Sequence, residues 1–449
     1  MKKLVDYKKE IHTCSKCGLC QSVCPVYKVT GNDCTVSRGK FIMLNGIIKG
    51  DLKLNKNINK YLDMCLKCNA CKNFCPSEID ARKIFLTAKA EYFECLDNRV
   101  NSKFVKILNS PQIFNLFMNS IKFATSMYRF LRFDKVLKHF YPILQKFELG
   151  KKLILMNKFI MINVVGHVCP TYFHDCGRRS RIPARQQKDL KVVYFKGCVN
   201  EYINPRVKIA TENILKQMNI EILPINFQCC GVPFLSGGNV EQFIKQAELN
   251  LAKIPDEFDY FLTDCASCQN AFKEYENYID DEKLLKKLEK INAKSINIVD
   301  FVIKNVKSFE FSEKTTFTFH KPCHLENMSF LQEFLAKAKN VEYVEMKDFD
   351  VCCGFSGEFA MKNPEISTQI SVQKAQNALE TKADYILTSC PACVLGLNQG
   401  LIEKDEREQG TRNRKQNVQN KIAIHSPSFH SSPFTLHFIE FLSKAQIKL

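Results

Sequence analysis

Two copies of one cysteine run lie within the first 76 residues of the chain, and their spacing limits what this region can fold around. The first run is Cys14-x-x-Cys17-x-x-Cys20-x-x-x-Cys24-Pro25, and the second is Cys65-x-x-Cys68-x-x-Cys71-x-x-x-Cys75-Pro76. Three cysteines at two-residue gaps wrap one corner of a cubane, and the fourth, ahead of a proline, reaches the other cluster. A zinc ribbon or a disulfide framework is less compatible, because zinc sites pair two CxxC units instead of chaining three gaps.

The runs predict two [4Fe–4S] clusters and therefore single-electron chemistry. The first cluster is assigned to Cys14, Cys17, Cys20 and Cys75, and the second to Cys65, Cys68, Cys71 and Cys24. Cys34 and Cys95 fall outside the runs and lack a CxxC partner, so we expect them to be ordinary core or surface thiols.

Length and composition agree with a multidomain metalloprotein. The chain has 449 residues, enough for about three domains, and 22 cysteines, whose spacing indicates metal ligands in a reducing compartment. We find neither a signal peptide nor an apolar stretch of 18 residues, and we therefore expect a cytoplasmic protein. The formal charge of +18 is offset in part by ligating thiolates. The remaining positive surface suits anionic lipid or an acidic partner; no basic motif predicts a nucleic-acid partner.

The N-terminal segments are predicted to be helical. Residues 1–97 form the two-cluster domain, with helices over 37–48 and 80–95. Residues 98–189 are a Phe- and Lys-rich connector that ends in a basic linker. Its apolar stripes fit helices lying on a membrane or membrane subunit, but they fit better a connector packed on its own domains, because most apolar stripes are core faces. Cys169 and Cys176 in this segment match neither type of metal site.

Residues 190–307 and 308–402 form an internal repeat. The first copy contains Cys198, then Cys229-Cys230-Gly231, then Cys265-x-x-Cys268. The second contains Cys323, then Cys352-Cys353-Gly354, then Cys390-x-x-Cys393. Corresponding positions are separated by 125, 123, 125 and 125 residues, which indicates duplicated structural units.

Each copy alternates strands with helices, which predicts a parallel α/β sheet. The predicted strands are 191–195, 220–225 and 260–263 in the first copy and 315–320, 341–346 and 384–388 in the second. The predicted helices between them include 204–218, 239–253 and 364–380. The cysteines then follow the carboxyl ends of strands, where open α/β sheets bind ligands.

Five cysteines per copy exceed what tetrahedral structural zinc requires. The paired cysteines suit a bridging role between two irons, or else one of them is a reactive thiol outside the metal shell. A dithiol–disulfide site stays open as the alternative to an iron–sulfur or zinc centre. Gly231 and Gly354 would permit a positive φ after each pair.

The tail completes an α+β multidomain chain: a helical two-cluster ferredoxin domain followed by two duplicated α/β Cys-Cys-Gly domains. The second of these extends over 308–449. It carries a charged segment, 403–421, predicted to be an exposed or disordered insertion, and a closing helix over 434–444.

The chain resembles the iron–sulfur subunit of bacterial glycolate oxidase. Related proteins are the iron–sulfur subunits of anaerobic glycerol-3-phosphate dehydrogenase, lactate-utilisation complexes and heterodisulfide reductase. The resemblance rests on the cysteine runs, on Ser37-Arg38-Gly39-Lys40, on His320–Leu325, on Cys352–Ala360 and on the closing segment Leu436–Leu442. It covers most of the chain, but not 98–189 or 403–421.

The resemblance implies an electron carrier. A separate flavoprotein would oxidise a 2-hydroxy acid, and electrons would pass through this chain toward the quinone pool or a membrane subunit at the cytoplasmic face of the inner membrane. No G-x-G-x-x-G follows a strand, in agreement with a substrate site elsewhere.

In glycolate-type subunits the second repeat often lacks part of its cysteine set, whereas both sets are complete here. That favours chains of the heterodisulfide reductase type and leaves additional centres open. By resemblance the candidate ligands are Cys198, Cys229, Cys230, Cys265, Cys268, Cys323, Cys352, Cys353, Cys390 and Cys393. His324 follows Cys323 and is either a residue beside the metal centre or a helix-start histidine.

Overall fold

A computed structural model describes residues 2–95, 190–416 and 435–449. The predicted connector 98–189, with Cys169 and Cys176, and residues 417–434 lie outside the described residues. The predicted boundaries at 97 and 189 adjoin or fall within these residues and stay predictions, as does the boundary at 307.

The N-terminal region is helical, as predicted. Its α-helices are α1 Lys8–Thr13, α2 Leu19–Val23, α3 Pro25–Thr30, α4 Ser37–Lys49, α5 Lys56–Asp63, α6 Ala70–Asn73 and α7 Ala81–Cys95. Short 3-10 turns cover Leu4–Tyr7 and Asp33–Thr35. Helices α4 and α7 confirm the two helices expected around the cysteine runs. They pack together through Phe41 and Phe85, whose ring centroids are 5.4 Å apart.

The first Cys-Cys-Gly unit is a four-stranded parallel sheet in the order β2-β1-β3-β4. Its strands are β1 Lys191–Phe195, β2 Glu221–Ile222, β3 Tyr260–Thr263 and β4 Ser295–Asn297. Its α-helices are α8 Pro205–Gln217, α9 Val232–Gly237, α10 Val240–Lys253, α11 Ala266–Glu274, α12 Glu282–Ala293 and α13 Ile298–Asn305. A π-helical turn covers Val199–Ile203, and a 3-10 turn covers Tyr275–Asn277.

The second unit repeats this topology in the order β6-β5-β7-β8, and β9 pairs antiparallel with β5. Its strands are β5 Ser308–His320, β6 Ala338–Tyr343, β7 Tyr385–Thr388, β8 Thr435–His437 and β9 Gln446–Lys448. Its helices are α14 Ser329–Lys337, α15 Gly357–Lys362, α16 Pro364–Leu379, α17 Pro391–Gln416 and α18 Phe438–Leu442. The matching strand orders confirm the predicted duplicated α/β architecture.

The two sheets share one apolar core. Buried side chains from both units, including Phe261, Phe301, Phe317 and Phe438, belong to a single continuous cluster. Leu86 of helix α7 joins it, so the two-cluster domain is attached to the same core.

Three local predictions need correction. Residues 403–416 of the segment predicted to be exposed or disordered continue helix α17 and so are not disordered, because Glu, Lys, Arg and Gln extend a helix begun by the preceding apolar turns. The predicted closing helix 434–444 is divided into β8 and α18: a capping box between His437 and Glu440 begins the helix only at Phe438. The second strand of the first unit, predicted over 220–225, is shorter and covers only 221–222. The second strand of the second unit, predicted over 341–346, is displaced to 338–343.

Candidate metal centres

The two N-terminal runs adopt the same backbone. The residue before the second cysteine of each run has a positive φ, 57° at Lys16 and 59° at Lys67. The residue after it also does, 86° at Gly18 and 61° at Asn69. A positive φ is uncommon at residues other than glycine, and such residues cluster at functional sites. Their recurrence at equivalent positions indicates that the two loops wrap the same kind of group.

The thiols assigned to the second cubane lie around one cavity. Its lining includes Cys24, Cys65, Cys68 and Cys71. Burial raises the pKa of Cys24 to about 11, and the charges of Cys68 and Cys65 add to the rise. Burial likewise raises the pKa of Cys71 to about 12. A buried thiol that resists ionisation on its own loses its proton when it binds a metal, because the positive charge of the metal compensates the charge of the thiolate. This donor set therefore fits a [4Fe–4S] cluster. Cys24 comes from the first run, as the crossed assignment requires.

The first cubane position is more exposed. Burial and the charges of Cys14 and Cys17 raise the pKa of Cys20, which places these three thiols near one another. Cys17 is exposed, whereas Cys14, Cys20 and Cys75 are half-buried. Ser77 Oγ donates to the carbonyl of Thr13 at 3.4 Å and so holds the end of the second run beside the start of the first.

Lys40 is a buried cation beside the second cubane position. It is 1% exposed, lines the cavity of those four thiols and donates through Nζ to the carbonyls of Thr35 and Met64. Burial lowers its pKa, which the charges of Cys65, Cys24, Cys71 and Cys20 oppose. Within the described residues no carboxylate forms an ion pair with it. The charges that Lys40 faces are therefore thiolates from both runs.

We expect Lys40→Met to lower the reduction potential of the second cubane by on the order of 100 mV, because a nearby buried cation favours the more negative reduced state. The metal-free chain should instead become more stable, since the variant removes a buried charge that lacks its thiolate counter-charge. EPR-monitored redox titration and urea unfolding measure the two effects. Lys49→Met, at an exposed position of the same helix, is the matched control. An unchanged potential would contradict this role of Lys40.

The Cys-Cys-Gly cysteines follow the carboxyl ends of the central strands in both sheets. Cys198 and Cys265 come after β1 and β3, which are neighbours at the point where the strand order reverses. Cys323 and Cys390 occupy the same places after β5 and β7. Gly231 and Gly354 have φ of 80° and 82°, as predicted, and their close packing leaves no room for a side chain.

Each set of five thiols converges. In the first set, the Sγ atoms of Cys198 and Cys229 are 3.9 Å apart, Cys229 contacts Cys230, and Cys268 contacts both Cys230 and Cys265. In the second set, Cys352 contacts Cys323 and Cys353, while Cys393 contacts Cys353 and Cys390. Five convergent sulfur donors suit an iron–sulfur centre better than tetrahedral zinc.

Two contacts join these sets to one another and to the N-terminal domain. The Cys265 thiol contacts Cys390, the equivalent position of the other repeat. The Cys68 thiol contacts Cys352, and that contact, together with burial, raises the pKa of Cys68. The structure thus places the second cubane beside the second five-cysteine set, and that set beside the first.

Several polar residues around these centres were not singled out from the sequence. Asp264 precedes Cys265 and is fully buried; Asn200 donates to it at 2.6 Å, and the Tyr194 hydroxyl also donates to it. Burial raises the pKa of Asp264 to about 7, against the opposing hydrogen bonds. Lys374 is buried near Cys353, and burial lowers its pKa to about 8. The sequence did contain one signal for Asp264. The equivalent position of the second repeat is Ser389, so the two copies differ in charge directly before the cysteine.

His324 lies in a turn and not at a helix start, because the next helix begins at Ser329. Its Nδ1 is 3.1 Å from the hydroxyl of Ser267 in the first unit, and that hydroxyl is 3.9 Å from Cys390 Sγ. Burial lowers the pKa of His324 to about 4, which keeps the ring neutral. His324 therefore bridges the two units beside a predicted ligand.

Comparisons with known proteins agree with this architecture. A family model described as a cysteine-rich domain matches residues 192–273 and 317–398, and one described as a 4Fe-4S dicluster domain matches residues 10–79. Lactate utilization protein A of Bacillus cytotoxicus is 30% identical over 223 residues, which cover 48% of this chain and 92% of the relative. Lactate utilization protein A 1 of Bacillus cereus is 31% identical over 227 residues, which cover 49% and 94%.

Among solved structures, a hypothetical protein from Helicobacter pylori aligns with a TM-score of 0.39 and 8% identity, over 79% of this chain and 75% of that one. This likeness is too weak to support an argument. None of the helices in the described ranges has the length and apolar character needed to cross a membrane.

Proposed function

This chain belongs to the lactate utilization protein A family, and from that we propose that it is the electron-transfer subunit of a flavin-dependent 2-hydroxy-acid dehydrogenase complex. The chain is an iron–sulfur redox protein with a dicluster domain and two cysteine-rich domains. The names of its relatives favour lactate over glycolate as the substrate of the complex. The substrate would be oxidised on a flavoprotein partner, and the electrons would leave toward quinone at the cytoplasmic face of the membrane.

The observation that carries the proposal is the continuous succession of thiols from Cys68 to Cys198. Starting from the cubane position it passes through the second five-cysteine set, crosses at the Cys390–Cys265 contact and continues through the first set. Short contacts between successive ligand groups are what single-electron transfer through a protein requires. Cys17, a candidate ligand of the first cubane, is exposed, so a partner could exchange electrons with that cluster.

The test uses the native complex, purified anaerobically through a tag on this chain. We expect bound flavin, and we expect lactate to bleach the iron–sulfur absorption and to produce EPR signals of reduced clusters. Glycolate serves as the comparison substrate. A complex that contains no flavin, or clusters that neither 2-hydroxy acid reduces, would overturn the proposal.

A second candidate function is thiol–disulfide reduction of the heterodisulfide reductase type. Its specific support is that both five-cysteine sets are complete and meet at Cys265 and Cys390. Iron analysis separates it from the simplest carrier, because two cubanes account for about eight irons per chain. An iron content well above eight, together with disulfide-dependent reoxidation of the reduced chain, would favour this second function.

A further inference from the structure

The two Cys-Cys-Gly units have different side chains at the carboxyl end of their first strand. His320 ends β5 and lies opposite Thr388 of β7, whereas Phe195 ends β1 and lies opposite Thr263 of β3. The two residues thus occupy the same position of a duplicated fold. Phe195 packs against Phe227 and Phe272 as part of the apolar core. The second unit instead has an imidazole at this point.

The hydrogen bonds of His320 account for only one of its nitrogens. The residue is fully buried, and Nδ1 lies 3.1 Å from the carbonyl oxygen of Phe349, to which it donates. This bond fixes the tautomer and leaves a lone pair on Nε2, which is buried and has no hydrogen-bond partner among the residues that the structure describes. A buried polar atom without a partner costs on the order of 1–3 kcal/mol, so its retention calls for a ligand.

Two thiols of the second set lie close to the ring of His320. A ring nitrogen of His320 and the Sγ atoms of Cys353 and Cys393 all lie within 4.8 Å of one another, and all three residues are buried. A tetrahedral ion with one imidazole and two thiolates separates such atoms by roughly 3.5–3.8 Å, so a small inward movement closes the site. The Phe349 carbonyl on the other nitrogen supplies the outer-shell bond that metal-ligating histidines almost always have.

We propose that His320 Nε2 is a ligand, together with Cys353 and Cys393, to an iron of the second Cys-Cys-Gly centre. This inference rests on the proposed function and adds to it that the second five-cysteine set holds an iron–sulfur centre. The first centre then has thiolate ligands alone, while the second has a mixed set.

The experiment is pulsed EPR on the anaerobically loaded full chain, measured on the signal that Cys393→Ser removes. We expect a nitrogen coupling typical of ligated imidazole, which changes from the 14N to the 15N pattern when the protein is made with 15N-histidine. This measurement needs no histidine variant. His320→Phe, which reproduces the residue of the first unit, should abolish the coupling.

His437→Gln is the matched control: His437 is also a fully buried imidazole, but it lies one strand further along, opposite Thr388, and its Nδ1 caps helix α18 by accepting from the N–H of Ile439. The coupling should persist in this variant. Full iron occupancy of the second centre without a histidine coupling would overturn the assignment of His320 and leave the proposed function intact. Absence of iron beyond the two cubanes would overturn both the assignment and the additional centres.

Discussion

Replacing Cys68 with serine should remove the second [4Fe–4S] cluster and interrupt electron transfer between the dicluster domain and the Cys-Cys-Gly centres. The iron content should fall by about four per chain. Cys68 lines the cavity of the second cubane and also contacts Cys352 of the second five-cysteine set. Its loss therefore affects both the cluster and the contact between the dicluster domain and that set. In the native complex, lactate should still reduce the flavin, but electrons should no longer pass along the full chain of centres.

Iron and sulfide analysis, EPR of the dithionite-reduced protein and substrate-driven cluster reduction measure these effects. Cys95→Ser is the matched control, because Cys95 is exposed and lies outside both runs. It should keep its iron and its electron transfer. A Cys68→Ser chain that retains two cubanes and normal turnover would contradict the ligand assignment and the proposed route.

The route itself could not have been predicted from the sequence, although its components were. The run spacing and the repeat offsets located every cysteine that converges in the three-dimensional structure. The contact between Cys68 and Cys352 joins residues that are 284 positions apart (352 − 68), and no local pattern encodes such packing. The contact between Cys265 and Cys390 depends in the same way on the shared core of the two sheets.

Single polar residues were missed for a related reason. His320 lies at the end of an apolar strand, and nothing in its neighbours distinguishes a ligand from a residue satisfied in the core. Lys40 was noticed only as part of Ser37-Arg38-Gly39-Lys40, because its role arises from burial beside thiolates of both runs. Secondary structure was most predictable where strand and helix patterns alternate, and least so over 434–444, where six of the eleven positions are apolar and a capping box decides the boundary.

Glu358→Gln should be the most destabilising substitution at the junction between the domains. Glu358 of helix α15 forms ion pairs with Lys67 at 3.2 Å, Lys89 at 3.3 Å and Lys362 at 2.7 Å. Lys67 and Lys89 belong to the dicluster domain, and both also donate to the carbonyl of Ser236 in the first unit. One carboxylate therefore holds together cations from the dicluster domain and the second unit, and one of these cations, Lys67, directly precedes Cys68 in the sequence.

The expected loss is about 3–5 kcal/mol of unfolding free energy, because neutralising one member of a buried ion pair leaves its partners buried and under-compensated. Lys89 keeps Asp63 at 2.6 Å, so the main unpaired charge is Lys67, whose side chain is only 7% exposed. Urea unfolding of the full chain measures the loss. Glu326→Gln is the control, because Glu326 pairs with Lys273 at an exposed site and should change stability by less than about 1 kcal/mol.

The same carboxylate predicts the acid sensitivity of the fold. Burial alone would raise the pKa of Glu358, but the charges of Lys67, Lys89 and Lys362 outweigh it and lower the pKa from 4.5 to about 2. Because the folded chain holds this proton less tightly than the unfolded chain, the stabilisation is complete above pH 4.5 and is lost as the pH falls toward 2. The span corresponds to about 3 kcal/mol. Unfolding free energies of the Glu358→Gln variant should therefore decline less between pH 5 and pH 3 than those of the parent chain, and parallel curves would show that Glu358 does not carry this dependence.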